Sequence, residues 1–214
     1  MSSSCSHHDH SSHADHGANS PRYRRVLWVA LIVNLAMFAV EIGAGVTSGS
    51  VSLLADAIDF FGDAANYGVT LVVLSMGGLW RTRAAMLKAA SMIAFGVFVL
   101  ARAAWVFRQG STPEALTMGS IGTLALLANV GVAVMLYAWR DGDANMRSVW
   151  LCSRNDALGN IAVILAALGV FGTGSAWPDL LVAGVMGGLA LHSGWRVLGQ
   201  SRNEMAAHRA TVQP

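Results

Sequence analysis

The chain has 214 residues, of which 54% are hydrophobic and only 12% are charged, and its formal net charge is +2. An ordinary soluble domain carries about 25% charged residues, so this composition excludes a typical soluble globular protein. The mean hydropathy of +0.50 points the same way and predicts a protein embedded in a membrane.

Six apolar runs are long enough to cross a bilayer, whose core of about 30 Å takes about 20 helical residues. The breaks between them are short and contain turn-forming residues, such as SGS after the first run and GTGSAWP before the last. The sequence therefore predicts an all-α, polytopic membrane protein, a bundle of six transmembrane helices. The predicted spans are Val26–Thr47, Val51–Gly77, Ala84–Phe107, Glu114–Trp139, Arg147–Phe171 and Pro178–Gly199.

Basic residues collect on one side of the predicted bundle. They precede the first span, separate the second from the third, flank the loop after the fourth, and close the chain. Because basic loops stay in the cytoplasm, this pattern predicts that both termini are cytoplasmic. The chain begins with a polar segment, and its first apolar run is too long for a signal peptide, so we expect an uncleaved protein of a bacterial-type inner (plasma) membrane.

Outside the six spans we expect two short tails and no folded soluble domain. Residues 1–24 are predicted to be a disordered cytoplasmic tail, residues 25–199 the six-helix transmembrane domain, and residues 200–214 a short cytoplasmic tail. The first tail is rich in potential metal ligands, namely Cys5, His7, His8, His10, His13 and His16. Imidazole is a common metal ligand, so this tract is suited to weak, multiple metal binding, which is compatible with disorder.

Three aspartates stand inside the second apolar run, in the stretch LLADAIDFFGDAANYG. Asp56, Asp59 and Asp63 are spaced by three and four residues, so they lie on one helical stripe that must face protein or water. Asp59 and Asp63 fall roughly 14 to 20 Å along the helix, near the bilayer midplane. An ionisable residue at that depth costs about 2.5 kcal/mol or more, which favours a functional site.

Pairing with arginine is the structural alternative for these carboxylates, and Arg154 is the candidate partner. One guanidinium cannot neutralise three carboxylates, so the pattern predicts a bound cation or bound protons. Asp56 lies one turn nearer the outer end than Asp59. It is expected to be either a relay on the exit path or a structural hydrogen-bonding group. Glu41, on a polar stripe of the first span, either pairs with Arg154 or lines a path.

The fifth span contains CSRNDALGN, in which Cys152 and Asp156 are one helical turn apart. Counted from the cytoplasmic end near Arg147, they lie roughly 8 to 14 Å into the membrane and approach the depth of Asp59 and Asp63 from the opposite side. A thiolate with carboxylates suits tetrahedral Zn²⁺, Cd²⁺ or Co²⁺ better than octahedral Mg²⁺. We therefore predict four metal ligands, although a lone buried cysteine is also a common apolar filler. They are Asp59, Asp63, Cys152 and Asp156.

These residues resemble those of the cation diffusion facilitator family. SVSLLADAIDFFGDAANYG is similar to the family's second-helix signature, CSRNDALGN to its fifth-helix ligand pair, and WPDLLVAGVMGGLAL to the start of its sixth helix. The resemblance extends over all six spans. It implies a homodimeric antiporter that exports a divalent cation in exchange for protons, with Asp59 and Asp63 as the first ligand pair and Cys152 and Asp156 as the second.

Two features depart from the family pattern. Cys152 replaces the usual histidine, aspartate or glutamate, and its softer sulfur favours Zn²⁺ or Cd²⁺ over Mn²⁺. The C-terminal cytoplasmic domain of most relatives is expected to be lacking, so the transmembrane helices would have to hold the dimer. Gly184 and Gly188 form a small-residue face in the sixth span, suited to that dimer contact or to packing within one subunit.

Ligand chemistry predicts how such a protein would work. Metal binding needs a deprotonated thiol and deprotonated carboxylates, so metal loading releases protons and protonation releases metal. The alternative function is a non-transporting membrane metal sensor or metal-binding partner, which the short tails disfavour. We find neither a nucleophile with a base nor a phosphate-binding glycine loop, so we expect no enzyme activity, no cofactor and no nucleic-acid partner.

Overall fold

A computed structural model describes residues 21–73, 78–139 and 144–212 of the chain. These ranges form six long α-helices and one short 3-10 turn, without a β-strand. The helices are α1 (Pro21–Ser48), α2 (Val51–Val73), α3 (Gly78–Gln109), α4 (Ala115–Leu136), α5 (Ala144–Thr173) and α6 (Trp177–Val212). The predicted all-α bundle of six helices is confirmed.

The predicted spans and the observed helices differ by five residues or more at three described ends. α1 begins at Pro21, ahead of the predicted Val26. α3 begins at Gly78, ahead of the predicted Ala84, and α6 continues to Val212, beyond the predicted Gly199. Apolar runs mark only the part of a helix that crosses the membrane, whereas the backbone hydrogen bonds of a helix can continue through polar sequence. The histidine-rich tract lies outside the described residues, so its metal-binding role stays a prediction.

The bundle presents an apolar outer surface. Five described helices are long and apolar enough to cross a membrane, and α2, with its three aspartates, is not among them. Large apolar side chains such as Ile32, Leu116 and Phe171 point outward and are exposed. An apolar exterior of this kind suits contact with lipid, since lipid tails need no polar partners.

α2 lies in the interior of the bundle. It packs against α1, α3, α5 and α6, while α3 pairs extensively with α6, and α4 with α5. Every residue from Val51 to Ile58 is buried. The helix that carries the aspartates is therefore enclosed by four other helices, as its stripe of charged residues requires.

Asp179 ties the start of α6 to the start of α2. Its buried carboxylate accepts hydrogen bonds from the Ser50 hydroxyl at 2.7 Å, from the Val51 N–H at 2.9 Å and from the Ser52 N–H at 3.0 Å. The first N–H groups of a helix have no partner within the helix, and a carboxylate there also interacts favourably with the helix dipole. A side chain of α6 thus caps α2 and positions it in the bundle.

Gly110 and Gly174 follow the ends of α3 and α5. Their φ angles are +68° and +61°, in the left-handed region that glycine adopts without a steric penalty. Their N–H groups donate to the Val106 and Val170 carbonyl oxygens at 3.0 and 2.8 Å, as in a common helix C-cap. Both glycines lie in breaks that the sequence predicted to be turns.

Glycine also permits the close packing of α6 on α3. A Cβ atom at Gly194 would lie 2.9 Å from Ile93 Cγ1 and 3.1 Å from the Ala89 carbonyl oxygen. In contrast, no atom of the described residues lies within 4 Å of the position that a Cβ would take at Gly184 or Gly188. Packing against the described residues therefore does not explain the Gly184–Gly188 face.

Candidate metal centre

Asp63 connects α2 to α5. Its carboxyl group lies within hydrogen-bonding range of the Asp156 carboxyl, and Asp59, one turn away on α2, acts electrostatically on both groups. Asp63 is buried, whereas Asp59 and Asp156 keep partial exposure. The structure thus brings three of the four predicted ligands into one neighbourhood, between two helices.

These three carboxylates are neighbours, but they do not form a closed ligand set. In the described part of the chain, no three His, Cys, Asp or Glu side chains come close enough to hold a metal ion. Ionised carboxylates repel one another, and a cation or protons between them offset that repulsion. The fourth predicted ligand, Cys152, belongs to α5, but its side chain lies outside the described residues, as does that of Arg154. The four-ligand assignment therefore stays a prediction.

A tyrosine holds one of the predicted ligands in place. The Tyr67 hydroxyl donates to Asp63 Oδ2 at 3.0 Å and lies 2.7 Å from the Ser153 hydroxyl oxygen on α5. Because the single Tyr67 proton goes to Asp63, Ser153 is the donor in the second contact. The network orients Asp63 and joins α2 to α5. This network was not predicted from the sequence, although Tyr67 follows Asp63 by one helical turn.

Tyr67→Phe should weaken Zn²⁺ binding by about 10- to 100-fold, the usual effect of losing a partner that orients a metal ligand. The buried ring remains, so the fold should persist while Asp63 becomes free to rotate. Calorimetric titration of the purified protein with Zn²⁺ measures this loss. Tyr137→Phe is the matched control, because Tyr137 is exposed at the end of α4. Equal affinities for the two variants would contradict an orienting role for Tyr67.

A second pair of carboxyl groups lies beside this centre. Glu41 of α1 and Asp56 of α2 are within hydrogen-bonding range of each other. From the sequence, Glu41 was expected to pair with Arg154 or to line a path, and Asp56 was not predicted as its partner. A usable signal was present, because Glu41 stands seven residues before the end of α1 and Asp56 five residues after the start of α2. Two helices joined by a tight turn place such positions at similar depths.

Comparison with known proteins gives a consistent family assignment. Residues 27–205 match the family described as the cation efflux transmembrane domain. The zinc transporter ZitB of Escherichia coli (strain K12) is 29% identical over 211 residues, which cover 92% of this chain and 67% of ZitB.

Two further relatives are named as an antiporter of cadmium, cobalt and zinc and as a metal cation efflux protein. The cadmium, cobalt and zinc/H(+)-K(+) antiporter of Bacillus subtilis (strain 168) is 26% identical, with 87% of this chain and 64% of that protein covered. The metal cation efflux system protein CzcD of Cupriavidus metallidurans is 25% identical, with 90% and 63% covered. The chain thus spans somewhat under two thirds of the length of these two relatives.

The family match extends from α1 into the C-terminal part of α6 and includes both helices of the candidate metal centre. The resemblance seen in the sequence motifs is confirmed, and so is the location in an inner membrane of bacterial type. This chain is an integral membrane protein that belongs to the cation efflux, or cation diffusion facilitator, transmembrane-domain family.

Proposed function

We propose that this chain exports Zn²⁺, and also Cd²⁺ and Co²⁺, from the cytoplasm in exchange for protons. The observation that carries the proposal is the contact of Asp63 on α2 with Asp156 on α5, with Asp59 one turn away. Carboxylates bind metal only when they are deprotonated, so one group of side chains can hold a divalent cation or protons in turn. The names of the relatives in E. coli and B. subtilis support zinc as a substrate and proton exchange as the coupling.

The position of the centre favours alternating access. Asp59 and Asp63 stand eight and twelve residues after the start of α2, roughly 12 to 18 Å along the helix. That depth is close to the middle of a bilayer core of about 30 Å. A site at the midplane between two helices opens to either side when those helices rock against each other, so α2 and α5 are the elements that we expect to move.

Cys152 is proposed as the fourth ligand. It precedes Asp156 by one turn of α5, so its side chain belongs to the same helical face. A thiolate is a softer donor than a carboxylate, and it shifts preference from Mn²⁺ toward Zn²⁺ and Cd²⁺. The three aspartates supply charge, and the sulfur contributes metal selectivity.

We also infer that the transporter is a homodimer. The Gly184–Gly188 face of α6 is open in the single chain, and small residues at four-residue spacing let two membrane helices approach closely. The dimer would be contradicted if the native mass of the purified protein, after correction for bound detergent, equals the mass of one chain.

The proposed function is tested by Zn²⁺ uptake into proteoliposomes that contain the purified protein, with and without an imposed pH gradient. We expect uptake driven by the gradient, and we expect Asp59→Ala to reduce it to the level of empty vesicles. Cys152→Ala should retain measurable flux while its preference for Zn²⁺ and Cd²⁺ over Mn²⁺ decreases, because only the soft ligand is lost.

Two outcomes would contradict this function. Zn²⁺ binding without flux would favour a membrane metal sensor. Zn²⁺ flux that does not depend on the pH gradient would contradict exchange for protons. Glu114→Gln controls for the loss of one carboxylate, because Glu114 is exposed at the start of α4, away from the centre. Its flux should equal that of the unmodified protein.

A further inference from the structure

Glu41 and Asp56 form a buried carboxyl pair outside the predicted set of metal ligands. The exposed fractions of the two side chains are 0% and 1%. The carboxyl groups lie within hydrogen-bonding range of each other. None of their oxygen atoms accepts a hydrogen bond from another group in the described part of the chain. Within the described part of the chain, any hydrogen bond that stabilises these groups therefore comes from within the pair.

Two ionised carboxylates cannot satisfy each other, because an ionised carboxylate only accepts hydrogen bonds. A single proton between them creates a short, charge-assisted O–H···O bond and leaves one negative charge on the pair. Burying one shared charge costs much less than burying two charges that repel each other. One proton shared between the two carboxyl groups thus supplies the hydrogen bond that they otherwise lack.

The described side chains of the neighbouring helices do not supply a positive charge instead. Among the described residues, the charged side chains that act on the pair are the carboxylates of Asp59 on α2 and Asp156 on α5. Among the described residues of α3, α4, α5 and α6, no lysine or arginine acts on Glu41 or Asp56. The side chains that surround the first half of α2 from α3 and α6 are apolar, Val99 and Ala183 among them.

A divalent cation fits this pair less well than a proton. Zn²⁺ takes four ligands, and Mg²⁺ or Ca²⁺ takes six or more. α5 approaches Asp56 at Gly159, where a Cβ would lie 3.8 Å from Asp56 Oδ1, and glycine offers no side-chain ligand. No third acidic, His or Cys side chain of the described ranges completes a metal site with the pair.

We propose that Glu41 and Asp56 share one buried proton and that this pair, separate from the metal ligands, is a proton-carrying site of the exchange. Its part in the exchange rests on the proposed function, whereas the shared proton does not. Asp56 lies three residues from Asp59, about 4.5 Å along α2, so a divalent cation at the metal centre repels the proton. Metal binding releases that proton as H⁺ and leaves two carboxylates, and a proton returns when the metal departs.

The test compares the purified protein with Glu41→Gln and Asp56→Asn by infrared spectroscopy and by proton release on addition of Zn²⁺ in weak buffer. We expect the unmodified protein to show the C=O stretching band of a buried carboxylic acid, which Zn²⁺ removes. Each variant should lack the C=O intensity that comes from the Glu41–Asp56 pair. Each should still bind Zn²⁺ but release one proton fewer per Zn²⁺ bound. Both replacements preserve side-chain size, so either variant alone can test the pair.

Glu114→Gln is the matched control, because it converts an exposed carboxyl to an amide and should change neither measurement. Variants that keep the band and release as many protons as the unmodified protein would overturn the proposal. So would the loss of one bound Zn²⁺ per chain in both variants, because the pair would then be a second metal site. Failure of the antiporter has a different signature: proton release on binding would persist without any pH-driven flux.

Discussion

Asp63→Asn should weaken Zn²⁺ binding by more than about 100-fold, since even the loss of an outer partner of a metal ligand costs about 10- to 100-fold. The substitution removes a negative charge and a ligand oxygen, and it disturbs the contacts of Asp63 with Tyr67 and Asp156 at the same time. Proton-driven Zn²⁺ uptake should fall to background. Calorimetry on the purified protein and flux into proteoliposomes measure the two effects.

The side chain of asparagine has nearly the same shape as that of aspartate, so the packing around α2 should survive this change. Removal of one of several repelling carboxylates should leave the midpoint of thermal unfolding unchanged or raise it. Loss of binding together with a lowered midpoint would indicate a structural role for Asp63. Unchanged binding would remove Asp63 from the metal site and leave the proposed function without its central ligand.

Asp179→Ala should reduce the free energy of unfolding by about 3 kcal/mol or more, because each buried donor left without a partner costs about 1 to 3 kcal/mol. The donors are the Ser50 hydroxyl and the N–H groups of Val51 and Ser52, all on fully buried residues. In a membrane protein, lipid tails offer these donors no replacement hydrogen-bond acceptor. The shift of the unfolding midpoint in detergent measures the effect.

Glu114→Ala is the control for this prediction. Glu114 stands at the N-cap position of α4, yet its side chain makes no capping hydrogen bond, and it is exposed. Its replacement should change stability by less than about 0.5 kcal/mol, as is usual for surface positions. If both variants unfold at the same midpoint, the Asp179 contacts do not hold α2 in place.

Much of the fold could be predicted from the sequence because a membrane restricts the choices. In lipid, a spanning backbone has to satisfy its own hydrogen bonds, so long apolar runs become helices. The six runs and turns such as the one at Gly110 were found in this way. The ends of α3 and α6 could not be placed, because a polar helical turn outside the bilayer has no apolar signal.

The candidate site was predicted in part. The spacing of Asp59, Asp63 and Asp156 along their helices predicts similar depths for them, and in the structure Asp63 lies beside Asp156. Depth, however, does not determine which faces of two helices meet. The contacts of Tyr67 with Ser153 depend on the rotation of α2 against α5, and no sequence period specifies that rotation.

The sequence by itself determined that this is a six-helix membrane protein with three aspartates inside one apolar run, because burial of charge in lipid is costly enough to leave a clear pattern. Only the tertiary structure decided the partners of the buried acids: Asp56 for Glu41, and the start of α2 for Asp179. These contacts join different helices, and their energies depend on distances of a few ångströms between side chains that the order of residues does not specify.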